Sequence, residues 1–199
     1  AIRMMMLGYM YHKELGFNIL LPDLQYSGLS EGNALQMGWL DRKDVMQWMD
    51  VAHDIYGDSI QMVVHGISMG GATTMMISGE PQPYYVKCFI DDCGYTSVWE
   101  QFSKELKEQF GLPPFPLMYT SSWLCDMTKD WNFQEASALK QVAQCTLPML
   151  FIHGDADPIG SMTSVKVWEK MLQMGIHSEL HTLALRNHCF QRTASPGTG

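Results

Sequence analysis

Apolar and polar positions along the chain switch repeatedly between two periods. Short apolar or alternating runs fall at Phe17–Leu21, Ile60–His65, Tyr85–Asp91, Leu147–His153 and Ser178–Leu183. Runs of that length bounded by Gly, Pro or Asp read as strands. Helical spacing fills the stretches between them. Residues 2–15 read as a helix stopped by Gly16, and 34–56 as a long helix ended by Gly57-Asp58. The apolar set of the long helix is Leu40, Val45, Trp48, Met49, Ala52 and Ile55. Residues 70–78 form a helix broken by Glu80-Pro81, and 161–174 one closed by Gly175. Alternation of this kind predicts an α/β fold with a mostly parallel sheet and helices on both faces.

The stretch 97–146 breaks the alternation. Its first part, 98–110, carries an amphipathic pattern, with Val98, Phe102, Leu106 and Phe110 on one stripe. The rigid segment Gly111–Pro116 and several aromatic and Met-bearing pieces follow, with no strand pattern. This region is expected to be a helical cap inserted into a single domain spanning 1–199. Its Trp, Phe and Met residues are expected to shape specificity.

Composition narrows the function classes. A chain of 199 residues with 46% hydrophobic and 17% charged residues can bury a full core. The net charge is −8 and there is no Lys/Arg cluster, which argues against nucleic acid as a partner. No apolar run reaches the roughly 18 residues that span a bilayer. Ile2–Gly8 lacks the order of a signal peptide. The five cysteines are irregularly spaced, without a C-x-x-C pair, and are expected to be buried free thiols. Free thiols lean towards a reducing compartment, so a cytoplasmic location is favoured. The 17 methionines are adaptable core fillers.

In parallel α/β folds the chemistry collects at the carboxyl ends of strands. Gly66-Ile67-Ser68-Met69-Gly70-Gly71 sits between a strand and a helix and fits G-x-S-x-G. A nucleophile on so sharp a turn needs glycine neighbours where backbones approach, and the helix amino terminus stabilises negative charge beside it. A serine nucleophile also needs a base and an orienting acid. His188 lies just past the last strand and Asp157 just past the one before, which gives the order Ser68, Asp157, His188. Asp155 competes as the acid, as do Asp91 and Asp92, whose alternative role is turn capping. His12 and His53 are expected to be solvated on helices, and His177 and His181 to sit at the last, edge strand. No H-E-x-x-H, G-x-G-x-x-G or Walker pattern occurs, so neither a metal nor another cofactor is expected.

Together these motifs resemble the α/β-hydrolase superfamily, nearest its serine aminopeptidase and lysophospholipase-like esterase branch. The elbow Gly66–Gly71, the acid segment His153-Gly154-Asp155-Ala156-Asp157 and the loop Asp23–Ser30, which fits D-x-x-x-x-G-x-S, carry the resemblance. Asp157 runs on into Pro158-Ile159-Gly160 rather than the family's usual hydrophobic-Pro pair. The resemblance implies that Ser68 attacks an acyl carbonyl, His188 shuttles the proton, Asp157 orients the imidazole and the Met69 N–H is one oxyanion donor. It implies a small-molecule ester or acyl substrate, with an amide or peptide as the close variant. In the family a second oxyanion donor follows an earlier strand, usually near a His-Gly pair; here His65-Gly66 and His153-Gly154 belong to later strands. With Ala1 in first place, the chain is expected to be clipped at both ends. A catalytically incomplete fragment, or a non-catalytic binding module, is the alternative.

Overall fold

The computed structural model describes residues 4–154, 168–169, 172–173 and 178–183. In chain order the elements are α1 (Met5–Leu15), α2 (Asp41–Tyr56), β1 (Met62–Ile67), α3 (Met69–Ser78), β2 (Val86–Asp92), α4 (Val98–Phe110), α5 (Leu117–Lys129), α6 (Ala138–Val142), β3 (Met149–Gly154) and β4 (Ser178–Leu183). The strands form one sheet in the order β1-β2-β3-β4, and every pairing is parallel. Register brings the carboxyl ends level: Ile67 lies opposite Asp92, Asp92 opposite Ile152, and Gly154 opposite Leu183.

The core grows from this sheet. Phe89 of β2, Phe151 of β3 and Met75, Met76 and Ile77 of α3 are essentially sealed from solvent. From Gly71 to Ser78 every residue of α3 is buried, because β1, β2, α2 and α6 surround it. A side chain at Gly66 would point into Gly70 and Thr74 of α3. Successive strand residues face opposite sides, so His65 points away from α3. There its Nδ1 is hydrogen-bonded to the Tyr11 hydroxyl of α1 at 2.8 Å. Thus α1 and α3 lie on opposite faces of the sheet.

Two expected elements are corrected. Phe17–Leu21 joins no strand ladder. Gly16 ends α1 in the left-handed conformation (φ 71°) and turns the chain back. The Phe17 ring stacks on Tyr11, and Ile19 and Leu21 cover Gly8 of α1. The apolar side chains that suggested a strand are satisfied by a helix. The long helix also starts later than expected, at Asp41. Met37 (φ 48°) and Gly38 (φ 81°) interrupt it, and the Gly38 N–H donates to Asp41 Oδ2 at 2.8 Å. A side chain at Gly38 would press on Thr73 and Met76 of α3, so the chain turns where it passes closest to the core. Ile55, counted in the apolar stripe, is exposed, as is Phe110 at the end of α4. The helix expected over 161–174 is described only at residues 168–169 and 172–173, which are helical.

His65 makes a prediction of its own. Its Nε2 is buried without a hydrogen-bond partner among the described residues, and burial pushes the imidazole pKa down to about 4. The unfolded chain, with an ordinary value near 6.5, holds more protons between those limits. The contribution is therefore complete above pH 6.5 and lost as pH falls towards 4, to about 3 kcal/mol. The urea midpoint is expected to drop between pH 7.5 and pH 5, and less so in His65→Leu. Equal drops in both proteins would contradict this.

Candidate functional site

The turn from β1 into α3 places Ser68. Its backbone sits at φ 57° and ψ −118°, a conformation side chains rarely adopt and one that costs about 1–3 kcal/mol. Three contacts hold it there. The Ser68 N–H donates to the Asp92 carbonyl at the end of β2 (2.8 Å), and the Ser68 carbonyl accepts from Ala72 (3.0 Å). The third is backbone approach: Gly66 lies directly against the Gly70 carbonyl. Since Asp92 occupies the Ser68 N–H, that group is not available to a ligand. The Met69 N–H belongs to the first turn of α3, where helical amides have no intrahelical acceptor.

The turn after β2 supports the elbow from the side. Asp91 is fully buried, and its Oδ1 accepts from the Gly94 N–H at 2.9 Å. A side chain at Gly71 would strike that same carboxylate, which is why α3 needs a second glycine. For Asp91 this is the turn-capping role. Cys93 follows at φ 50°, with its N–H on the Ile152 carbonyl of β3 (2.8 Å). Cys93 is disulfide-bonded, whereas Cys88, Cys125 and Cys145 carry free thiols. The expectation of free thiols is corrected at Cys93, and the argument for a reducing compartment loses that residue.

A cavity of about 260 Å³ opens beside Ser68. It is lined by Ser68, Met69 and Cys93 at the strand ends, by Met37 and Tyr95, and by Gln101, Phe102 and Glu105 of α4. Tyr95 is locked by its hydroxyl, which donates to the Met37 carbonyl at 2.8 Å, and burial raises its pKa far above the usual phenol range. Phe102 is held edge-on by Phe133. The structure thus brings Ser68 and Met69 into one cavity. Asp155, Asp157, His177 and His188 lie outside the described residues. Of the other histidines, His12 is exposed and bound to the Phe17 carbonyl, and His181 lies in β4 opposite Ile152. His53 is not simply solvated: it stacks on Tyr85 and pairs with Asp58. Glu105 lies off the apolar stripe of α4, and its i+4 spacing from Gln101, beside Phe102, is the sequence signal that it shares the cavity face.

The Asp23–Ser30 loop closes on itself and is tied to the chain ahead of α2 through Gln25, whose Oε1 accepts from the Gln36 amide at 2.7 Å. The Ser30 hydroxyl donates to the Asp23 carbonyl (2.8 Å), the Leu29 N–H donates to Asp23 Oδ2 (3.3 Å), and Gly28 at φ 60° packs against that carboxylate. Among the described residues no group of three or more His, Cys, Asp or Glu is placed to hold a metal ion. No helix among them is long and apolar enough to cross a membrane.

The family model of the prolyl oligopeptidase family matches residues 12–197. The chain belongs to that family. Its fold is the α/β-hydrolase fold that the sequence motifs implied. This prolyl oligopeptidase family member is similar to an uncharacterized Bacillus subtilis protein, YqkD, with 26% identity over 79% of this chain and 52% of the relative. It spans about half the length of that relative. Among solved structures it superposes on an esterase of Pyrococcus furiosus with a TM-score of 0.65 and 19% identity, covering 90% of this chain and 65% of that one. An uncomplexed acylaminoacyl peptidase of Pyrococcus horikoshii gives 0.57 and 17%, over 78% of this chain and 26% of that one. A puromycin-hydrolyzing peptidase of Mycobacterium tuberculosis gives 0.56 and 18%, over 77% and 23%. At these identities the structural likeness establishes the fold.

Proposed function

We propose that the protein is a serine hydrolase that cleaves carboxylic esters through an acyl-serine intermediate. The observation that carries this reading is Ser68 itself, held at positive φ between β1 and α3 and lining a cavity. The Ser68 Oγ attacks the carbonyl carbon. His188 takes the hydroxyl proton and returns it to the departing alcohol; Asp157 keeps the imidazole in the right tautomer. The tetrahedral oxyanion is met by the Met69 N–H and the amino-terminal end of α3. Water then releases the acid by the same steps in reverse roles. Chain geometry supports this assignment. Asp157 is three residues past the end of β3 and His188 five past the end of β4, and those strands, parallel to β1, finish at the same end of the sheet as the β1 that leads into Ser68. At about 3.5 Å per residue, either can reach the cavity.

The segment 97–146 acts as a cap in this reading. Its α4 contributes Gln101, Phe102 and Glu105 to the cavity that Ser68 lines. Its α6 end packs on α3 and belongs to the body. Peptide or amide cleavage is the second reading, favoured by the family match and by the peptidases among the structural relatives. Small acyl substrates are the proposed partners. The alternative of an incomplete or purely binding module is tested by the same assay. The protein is expected to react with a fluorophosphonate probe and to turn over p-nitrophenyl acetate. Failure of both would overturn the hydrolase reading.

The disulfide at Cys93 gives a further expectation. Cys93 directly follows Asp92, whose carbonyl holds the Ser68 N–H. Small displacements of a nucleophile are costly, so a phosphine reductant is expected to lower turnover about threefold to tenfold. Unchanged turnover after verified reduction would refute the link.

A further inference from the structure

The cavity beside Ser68 is mostly apolar, yet α4 puts one carboxylate into it. Glu105 is half-buried there. Its Oε1 accepts from the Gln101 amide at 3.1 Å, and its Oε2 accepts from the Gln109 amide. Gln101 and Gln109 stand one turn before and one turn after Glu105, so the two amides fix the carboxylate's orientation. Both are neutral donors. A carboxylate is an acceptor-only group with room for about four hydrogen bonds, so among the described residues its partners are two uncharged amides, which leave acceptor sites and the charge unmatched. The nearby lysine of α4 that could serve, Lys104, lies 3.9 Å from Glu108. No ion pair of Glu105 occurs among the described residues. Of the other lining residues, Met37, Met69 and Phe102 offer no hydrogen-bonding side chain, and the Tyr95 hydroxyl is engaged by the Met37 carbonyl.

We infer that Glu105 is a specificity residue that selects acyl substrates carrying a protonated amino group close to the reacting carbonyl. The inference rests on the proposed hydrolase reading for its substrate class. An apolar cavity with one oriented anion favours a ligand with one cation and an otherwise hydrophobic body. A charge-assisted hydrogen bond between such groups is among the stronger polar contacts. An isosteric substrate lacking the amine leaves the carboxylate unanswered in the same space, and discrimination follows from that difference.

The matched probes are L-phenylalanine methyl ester and methyl 3-phenylpropanoate, which differ by the amino group alone. Hydrolysis is followed by pH-stat titration in the wild-type protein, Glu105→Gln and Glu105→Asp. The wild type is expected to prefer the amino ester by about tenfold to a hundredfold in kcat/KM, chiefly through KM. Glu105→Gln, which keeps size and shape, is expected to collapse that ratio towards one; Glu105→Asp keeps part of it. A wild-type ratio near one, or a ratio unchanged in Glu105→Gln, overturns the inference while leaving the hydrolase reading intact. Binding separates the two claims from the other side. Phenethylammonium is expected to bind the Ser68→Ala protein more tightly than 2-phenylethanol in calorimetry, and Glu105→Gln added to that background is expected to remove the difference. If neither ester is cleaved but this difference is found, the cation site stands and the hydrolase reading falls. If the amine gains nothing over the alcohol, the cation site falls.

Discussion

Ser68→Ala is expected to abolish fluorophosphonate labelling and to lower ester turnover by about ten-thousandfold or more. Removing the nucleophile of a serine triad has effects of that order, and the residue left behind comes from binding and the oxyanion donors. The variant should fold normally, because alanine meets the same backbone conformation and the Ser68 contacts described are made by its N–H and carbonyl. Ser68→Gly separates chemistry from strain. Glycine adopts φ 57°, ψ −118° without the Cβ penalty. Part of that gain is offset by greater freedom in the unfolded chain. The expected net is about 1 kcal/mol of added stability, or roughly 2–4 °C in Tm. A more stable but inactive Ser68→Gly protein would show that strain at this position is retained for function. A Ser68→Ala protein that labels and turns over like wild type would remove Ser68 from the mechanism.

The sheet was legible because its strands are bounded by punctuation. Val86–Asp92 and Met149–Gly154 are apolar runs ending in Asp or Gly, and they pair as parallel strands. The elbow was legible for the same reason: glycine at a fixed offset from serine has a steric cause, visible as the contact of Gly66 with Gly70. Phe17–Leu21 was misread because a short apolar run carries no record of what covers it. The left-handed turn at Gly16 folds it onto α1 instead of into a sheet. The late start of α2 was hidden because periodicity passes through Met37 and Gly38 unbroken, while their positive φ values interrupt the helix. The walls of the cavity were hidden for a different reason. Glu105 looks like part of a solvated face in a single helix, and only the placement of α4 after the end of β2 turns that face towards Ser68. Pairing chemistry was similarly invisible at Cys93, since spacing alone does not say which cysteines meet.

The glycines of the elbow are expected to respond unequally to the same substitution. Gly66→Ala should be severe. A methyl group there overlaps the Gly70 carbonyl and comes within 2.6 Å of Thr74 Oγ1. The Thr74 hydroxyl can rotate, but the Gly70 carbonyl is backbone at the start of α3. Relief would require α3 to move off β1. That helix is buried along most of its length and carries Met75, Met76 and Ile77 of the core. A close-packed interior transmits such a shift rather than absorbing it. The expected cost is about 4 kcal/mol, at the upper end for point substitutions, or a Tm lowered by on the order of 10 °C. Gly70→Ala should be mild, within about 1 kcal/mol of wild type, because its methyl group meets no atom within 4 Å and alanine favours the helix. The motif thus needs Gly66 for its missing side chain and Gly70 for the position of its carbonyl. Thermal unfolding of the two variants decides between this account and a simple requirement for two small residues. Equal losses of Tm would reject the asymmetry. A Gly66→Ala protein as stable as wild type would mean that α3 does not approach β1 as closely as described.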